Sequence, residues 1–420
     1  MSNRILLILL WLLTACDPFH TQFDDVEKAH NYRAHELTPV ATSTDPLKIV
    51  TWNIKYGGGR ILFFWECGGS VGNMTKAEVV HNLEGLADKI RELSPDILLL
   101  QEADVQSKRS AYVDQVQYLL DHTHLNYGVY ASAWKADFIP SDGIGRMDSG
   151  NAILSRWPLS NSERIALPLI GNYSFIEKYF YLKRNILKTE VLHPSRTFAV
   201  VNVHTEAFAE DSTKLDHLAR FAQVLAEVSA AGLPFVAGGD LNSIPPGSPQ
   251  VADFPDDNCG DARFEGDDYT GEEDWLDPLY TQFHSAIPLS DFQAIPGAFF
   301  SFVGSDGDLP WNRCLDYLER HGPRRSVSLD ALIEDNHAKF AAEVEDPRER
   351  IHKQQMAARL HEAIDELKPE FREIVIMKHL QEMPYKDIAE ALEIPMGTVM
   401  SRLFHARKAL AKLMEPHRAR

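Results

Sequence analysis

The chain has 420 residues, 44% of them apolar and 25% charged, and a formal net charge of −19. From Glu319 onward 18 Lys/Arg balance 18 Asp/Glu, so the whole acidic excess lies upstream of that point. The length allows two or three domains with a sizeable core, and the acidic body argues against tight binding to long nucleic acid, whose affinity comes mainly from phosphate neutralisation.

The N-terminus reads as an export signal. Arg4 supplies the positive charge and residues 5–13 the apolar stretch, which is too short to span a bilayer as a helix. Leu13-Thr14-Ala15-Cys16 then resembles a bacterial lipobox; an ordinary apolar N-terminal segment is the alternative. The lipobox reading makes residues 1–16 a signal peptide with Cys16 as the acylated residue and membrane anchor. Residues 17–46 follow as a tether, and the body faces the periplasm or exterior. Three cysteines remain, Cys67, Cys259 and Cys314. An oxidising compartment would allow Cys67 to pair with Cys259, and free buried cysteines fit the spacing equally. No CxxC or Cys/His cluster suggests zinc.

Between residues 47 and 240, apolar β-branched runs alternate with helical ones. The strand candidates are 47–56, 96–102, 151–157, 197–205 and 234–240. The helix candidates are 76–93 and 213–230, the second with Leu215, Leu218, Ala219, Ala222, Leu225 and Val228 at helical spacing. The pattern is α/β, and near-continuous apolar strands predict sheets covered on both faces. The acidic stretch 253–274 reads as a solvated loop, with a calcium-binding loop as the alternative. Residues 319–352 read as a linker and 353–420 as a small all-α domain.

Polar residues sit where the apolar strands end: Asn53, Glu102, His204, Asp240 and Asn242. Strand ends at one edge of an α/β fold converge on a common crevice. Such an oxygen-rich set suits a hard cation, Mg²⁺ or Mn²⁺, better than a soft one. The stretches IVTWNIKYG, DILLLQEAD, GNAILSRWPL, VVNVHTEAF, VAGGDLNSIP and WNRCLDYL, in that order, resemble the endonuclease/exonuclease/phosphatase family over residues 47–318. The resemblance implies a two-sheet, four-layer α/β sandwich and metal-dependent hydrolysis of a phosphoester. It makes Glu102 a metal ligand with Asn53 beside it. Asp240 then orients or deprotonates the attacking water, Asn242 holds water, metal or phosphate oxygen, and His204 donates to the phosphoryl oxygens. Asp316 matches the carboxylate that buttresses a catalytic histidine. Arg109 and Ser110 fit as substrate contacts, and Asn151 lines the site or caps its strand. Nucleic acid, lipid headgroup and sugar phosphate all stay open as substrates, with the acidic body disfavouring a polynucleotide.

The family's last strand-end motif, Ser-Asp-His, is absent downstream of Leu318. His337 stands at a comparable distance from Asp316, among charged and alanine-rich neighbours. Losing a positioned acid/base group costs about 10²–10⁴ in rate, so the resemblance implies an impaired hydrolase.

Residues 360–410 instead resemble region four of extracytoplasmic-function RNA polymerase sigma factors. Residues 385–392 form a first helix with Ile388, Ala389 and Leu392 inward, Glu393-Ile394-Pro395 the turn, and 396–410 a second helix with Val399, Leu403 and Ala406 inward. That leaves Thr398, Ser401, Arg402 and His405 for promoter DNA, with RNA polymerase as the other implied partner. The string WNRCLDYL fits both families, so the change of family falls inside it. A lipobox and a promoter-binding module imply opposite sides of a membrane. A transcription module and a nonfunctional gene fusion therefore stand as alternatives to the hydrolase.

Overall fold

Strands that are apolar on both faces need a layer on each side, and this chain supplies four layers. The computed structural model describes residues 20–40, 46–139, 143–207, 209, 211–248, 251–252, 269–301 and 313–321, with isolated positions between 367 and 406. The chain divides into two compact units, Met1–Asp335 and Asn336–Arg420. Among the described residues, no helix is long and apolar enough to cross a membrane.

Among the described residues, the first unit holds twelve strands. In chain order they are β1 Val26–Lys28, β2 His30–Arg33, β3 Ile49–Asn53, β4 Ile97–Asp104, β5 Tyr127–Ile139 and β6 Gly145–Ser155. Then come β7 Leu159–Ala166, β8 Asn185–Leu192, β9 Thr197–His204, β10 Phe235–Asp240, β11 His284–Ser285 and β12 Asp316–His321. They form a seven-stranded sheet in the order β1-β7-β8-β9-β10-β12-β11 and a five-stranded sheet in the order β2-β5-β6-β4-β3. Ile49, Ile97, Leu99 and Ile153 of the smaller sheet pack on Leu187, Val191, Phe198 and Val200 of the larger. The outer face of the smaller sheet is covered by helix Lys76–Leu93 through Val79, Leu83 and Ile90. Helix Thr213–Ala230 covers the larger sheet through Leu218, Phe221 and Leu225. The expected four-layer sandwich is the observed one.

Local chemistry explains why both long helices have the bounds expected from sequence. Thr75 and Glu78 form a reciprocal capping box at the start of the first, which stops at Ser94 in the left-handed region. The buried stripe of the second helix is rotated from the expected one, and Leu215 and Ala219 are exposed. Lys214 and His217 take inward positions instead, because Lys214 Nζ meets Glu272 Oε1 at 2.8 Å and His217 Nε2 lies 2.7 Å from the Pro168 carbonyl.

Three expectations are corrected. The tether over 17–46 is folded where it is described. β1 pairs with β7 at the edge of the larger sheet, and β2 pairs with β5 at the edge of the smaller. Edge strands expose one side and carry charge, so VEKAHNYR does not look like a strand. The linker expected from residue 319 begins later, because β12 runs to His321 opposite Phe235. The strand expected over 151–157 is the end of the longer β6, whose first half reads as loop. Asp148 is buried there because Oδ1 accepts from Tyr130 Oη at 2.8 Å and from Ser132 Oγ at 2.6 Å.

Extending β12 past Leu318 has a consequence. Glu319 is 2% exposed and neither carboxyl oxygen has a hydrogen-bond partner. Burial pushes its pKa up to about 8, with the nearby Ser285 opposing the shift. The folded chain therefore keeps this proton where the unfolded chain, near 4.5, has lost it. Stability from this group is full below about pH 4.5 and is lost as pH rises to about 8. Urea unfolding at pH 5 and pH 8.5 is expected to show a fall of a few kcal/mol, and Glu319→Gln to remove the share that belongs to Glu319, with the raised acids Asp240 and Asp316 keeping the rest.

Candidate active site

Four strands end at one edge of the sandwich. β3 and β4 run parallel in the smaller sheet, with Asn53 level with Gln101. β9 and β10 run parallel in the larger sheet, with Asp240 level with His204, and antiparallel β12 sets Asp316 opposite Asp240. Glu102 sits in the left-handed region at φ 56°, inside a register shift between Leu100 and Ala103. A bulge of this kind re-aims a side chain, and here it turns Glu102 into the crevice.

Asn53 joins the two sheets. Its Nδ2 donates to Glu102 Oε1 at 3.0 Å and to Asp240 Oδ2 at 3.1 Å. The backbone N–H of Lys55 donates to Asn53 Oδ1 at 3.0 Å, which settles which end of the amide faces the carboxylates. Asn53 thus organises the carboxylates as a donor, where a ligand beside Glu102 was expected. His204 Nε2 lies 3.7 Å from Asp240 Oδ2 and 4.0 Å from Glu102 Oε1. Burial, then the charge of Arg184 and the neighbouring His217, holds His204 well below the usual histidine range, so the imidazole is neutral.

Burial pushes the pKa of Asp240 up to about 6. The bonds from Asn53 and from the Asn242 N–H oppose this, the charge of Glu102 adds to it, and Arg184 opposes it. Asn242 has φ 44°; its N–H donates to Asp240 Oδ1 at 3.0 Å and its Nδ2 to the Thr205 carbonyl at 3.0 Å. Together they form an Asx-type turn that presents Asp240. Asp316 is pushed well above the carboxylate range by burial and then by the charge of Asp240, eased by the Ser301 hydroxyl. Its Oδ1 is buried without a hydrogen-bond partner. That orphan lies where the family resemblance calls for a histidine to pair with Asp316, and His337 is outside the described residues.

Several residues that hold the site were given no role from sequence, although Gln101, Asn202 and Glu206 lie within the matched strings. Arg184 Nε donates to Glu206 Oε2 at 3.1 Å, both groups buried, and Arg184 sets part of the field at Asp240 and His204. Gln101 Nε2 donates to Asn202 Oδ1 at 2.7 Å between the sheets. Asn202 Nδ2 donates to the Leu100 and Ala152 carbonyls at 2.8 and 2.9 Å. The available signal was a polar residue in step with a site residue on an apolar strand, as Asn202 is two before His204.

Asn151, Arg109 and Ser110 are structural. Asn151 Nδ2 donates to the Asn185 carbonyl at 3.1 Å in the facing sheet. Arg109 is buried, bidentate to Asp104 at 2.9 and 3.0 Å, with its guanidinium 3.7 Å from the Tyr56 ring centre. Ser110 Oγ donates to the same Asp104 at 2.8 Å. Their expected contact with substrate is corrected, because this network is spent on holding the loop after β4.

Among the described residues, no three His, Cys, Asp or Glu side chains form a ready metal cluster. The donor chemistry nevertheless fits a hard divalent cation. Two carboxylates converge through one amide, and among the described residues the only basic group at ion-pair distance from either is the neutral His204. Few carboxylates and no thiolate are what Mg²⁺ accepts.

Cys67 is disulfide-bonded, and its expected partner Cys259 lies outside the described residues. Cys314 is free and buried. In the second unit, Ile388, Val399 and Ala406 are fully buried, as the helix-turn-helix reading requires, and Thr398 and Arg402 are half-buried. Cys16, Ser401 and His405 lie outside the described residues, as does most of the acidic stretch 253–274.

The family model for the Endonuclease/Exonuclease/phosphatase family matches residues 50–328, and that for Sigma-70, region 4, matches residues 357–410. The ECF RNA polymerase sigma factor SigE of Mycolicibacterium smegmatis is 30% identical over 122 residues, which are 29% of this chain and 45% of that protein. The RNA polymerase sigma-H factor of Pseudomonas aeruginosa is 30% identical over 131 residues, 28% of this chain and 66% of that protein. The chain thus spans less than two thirds of the length of either relative. Among solved structures, an endonuclease/exonuclease/phosphatase from Beutenbergia cavernae shares 17% identity, with a TM-score of 0.41, over 65% of this chain and 64% of that one.

The placement of Arg109 is testable. Arg109→Ala leaves the Asp104 carboxylate buried without its ion-pair partner, with only the Ser110 hydroxyl on it, so urea unfolding is expected to show a loss of about 3–5 kcal/mol. KM for a small phosphodiester, measured on the folded fraction, is expected to stay at the parent value.

Proposed function

Because the chain belongs to the endonuclease/exonuclease/phosphatase family, we propose that its first unit hydrolyses a phosphoester with a bound Mg²⁺ or Mn²⁺. The observation that carries this reading is the Asn53 amide holding Glu102 and Asp240 at 3.0 and 3.1 Å. Glu102 would hold the cation with solvent and a phosphate oxygen. When bound, such an ion neutralises charge on the phosphoryl and leaving oxygens. Asp240, raised to about 6, is a base poised near neutral pH, within reach of the same crevice as Glu102. It takes the proton of the attacking water. The neutral His204 donates a hydrogen bond to a phosphoryl oxygen as negative charge develops there. Asn242 holds the water or a phosphate oxygen. Asp316 keeps its proton, and the donor that would pair with it is the missing part. The rate is then reduced by about 10²–10⁴ relative to a complete site.

Cys16 is proposed as the acylated anchor of a body that faces the periplasm or exterior. The disulfide at Cys67 supports that address, since such bonds persist in oxidising compartments. A second reading is favoured by the burial of Val399 and Ala406. In it, the sigma region-four segment contacts promoter DNA through Thr398, Ser401, Arg402 and His405, and RNA polymerase elsewhere.

The hydrolase reading is tested on the full chain with bis(4-nitrophenyl) phosphate. Activity is expected to disappear in EDTA and return with Mg²⁺ or Mn²⁺. Glu102→Gln is expected to abolish both turnover and the calorimetric heat of metal uptake. Asp240→Asn is expected to lower kcat by about 10²–10⁴. Turnover that is indifferent to EDTA and to Glu102→Gln refutes the proposal.

A further inference from the structure

Arg109 and Arg184 are both buried and both pair with a buried carboxylate, but the two pairings leave different parts of the guanidinium over. Arg109 places Nε and Nη2 on Asp104 at 3.0 and 2.9 Å, and Nη2 also on Ser149 Oγ at 3.0 Å. Arg184 places only Nε, on Glu206 Oε2 at 3.1 Å. Among the described residues, neither of its Nη nitrogens has a hydrogen-bond partner, and neither is closed off from solvent. The outer edge of a guanidinium is a rigid fork of N–H groups that matches two oxygens of one carboxylate or phosphate. A buried arginine ordinarily uses that fork on the protein, and this one keeps it open.

The fork is held at the end of the sandwich where the site lies. The Arg184 carbonyl accepts from the Leu167 N–H at 3.0 Å, one step past the Ala166–Asn185 pair of β7 and β8. β8 lies antiparallel to β9 with Ile186 opposite Val203, which brings Arg184 level with Thr205. The Thr205 N–H donates to the Asp240 carbonyl at 3.0 Å. Two strand spacings of about 4.8 Å therefore separate the backbones of Arg184 and Asp240. Glu206 is fixed in turn: Tyr181 Oη donates to its Oε1 at 3.3 Å, and its own N–H donates to His217 Nδ1 at 3.2 Å. Burial works against the Arg184 charge, while Glu206, Tyr181 and Glu102 sustain it. Behind the larger effect of burial, that charge acts on Asp240 and on His204. Register and field together place the guanidinium beside the crevice that Glu102, His204 and Asp240 line. A phosphate that enters there meets two carboxylates, and a fixed cation near them lowers the cost of its approach.

We infer that Arg184 is a catalytic residue, whose Nη pair takes two non-bridging oxygens of the substrate phosphate and aligns the phosphorus with the water that Asp240 activates. The inference rests on the hydrolase reading. Glu206 is its positioning residue: it fixes the guanidinium through Nε and leaves the fork to the ligand. Such a fork holds the phosphate in the ground state and more strongly as charge grows on its oxygens, so its loss registers in phosphate affinity and in kcat.

The full chain is compared with Arg184→Lys and with the double substitution Arg184→Met, Glu206→Met, Mg²⁺ being present throughout. Lysine keeps a charge on Glu206 and loses the fork; the double substitution removes both partners, so no buried charge is left alone. Both variants are expected to bind inorganic phosphate at least about tenfold more weakly by calorimetry. Both are expected to lower kcat on bis(4-nitrophenyl) phosphate, the double variant by about 10²–10³. A parent that cleaves the diester, with parent-like affinity and kcat in either variant, overturns the clamp while the hydrolase reading stands. A parent that binds phosphate and cleaves nothing, with binding lost in both variants, refutes the hydrolase reading and the catalytic role, and leaves Arg184 as an anion site. A parent that neither binds phosphate nor cleaves the diester overturns both.

Discussion

One amide group sets the geometry on which everything catalytic here depends. Asn53 brings Glu102 and Asp240, carboxylates from two different sheets, to within 3.0 and 3.1 Å of a single nitrogen. Apolar packing between the sheets is non-directional and would tolerate small slides of one over the other. Directional bonds remove that freedom. Gln101–Asn202, Asn202 to the Leu100 and Ala152 carbonyls, and Asn151 to the Asn185 carbonyl form a buried seam beneath the site. Each donor in this seam would be costly to leave unpaired, so the seam selects one registration of the sheets. The site inherits that registration.

β12 lies wholly inside the Endonuclease/Exonuclease/phosphatase match, which runs to residue 328. Its backbone pairs with β10 from Asp240–Asp316 to Phe235–His321 regardless of side chains. Its side chains are less well served. Asp316 reaches the site with one oxygen unpartnered, and Glu319 lies in the apolar layer with neither oxygen bonded. Burial raises the pKa of both, with the charge of Asp240 adding to the shift at Asp316. A ladder of main-chain bonds tolerates poorly served side chains more readily than a packed interior does, so the strand forms while leaving two buried acids under-bonded.

The N-terminal segment straps one sheet to the other through β1 and β2. The same chain also carries the match to Sigma-70, region 4, over residues 357–410.

Much of this was readable before any coordinates. The helices 76–93 and 213–230 follow from periodicity and caps. Asn53, Glu102, His204, Asp240 and Asn242 stood out because a polar residue ending an apolar strand is conspicuous. Both family resemblances were carried by contiguous strings, and contiguous strings survive without tertiary information. The strands β1, β2, β7 and β8 were not readable, because edge positions and mixed burial blur a period of two. Nor were the roles of Asn53, Arg109 and Arg184. An amide acts as ligand or organiser according to which of its ends faces the carboxylates, and a Lys55 N–H decides that. An arginine binds substrate or holds a loop according to whether Asp104 is buried beside it. Sequence alone determined which chemical groups this protein owns and roughly where its strands end. Only the tertiary structure decided which of those groups meet, because the contacts that matter join residues from separate strands, Asn53 and Asp240 being 187 positions apart, across two sheets whose relative registration no local pattern encodes.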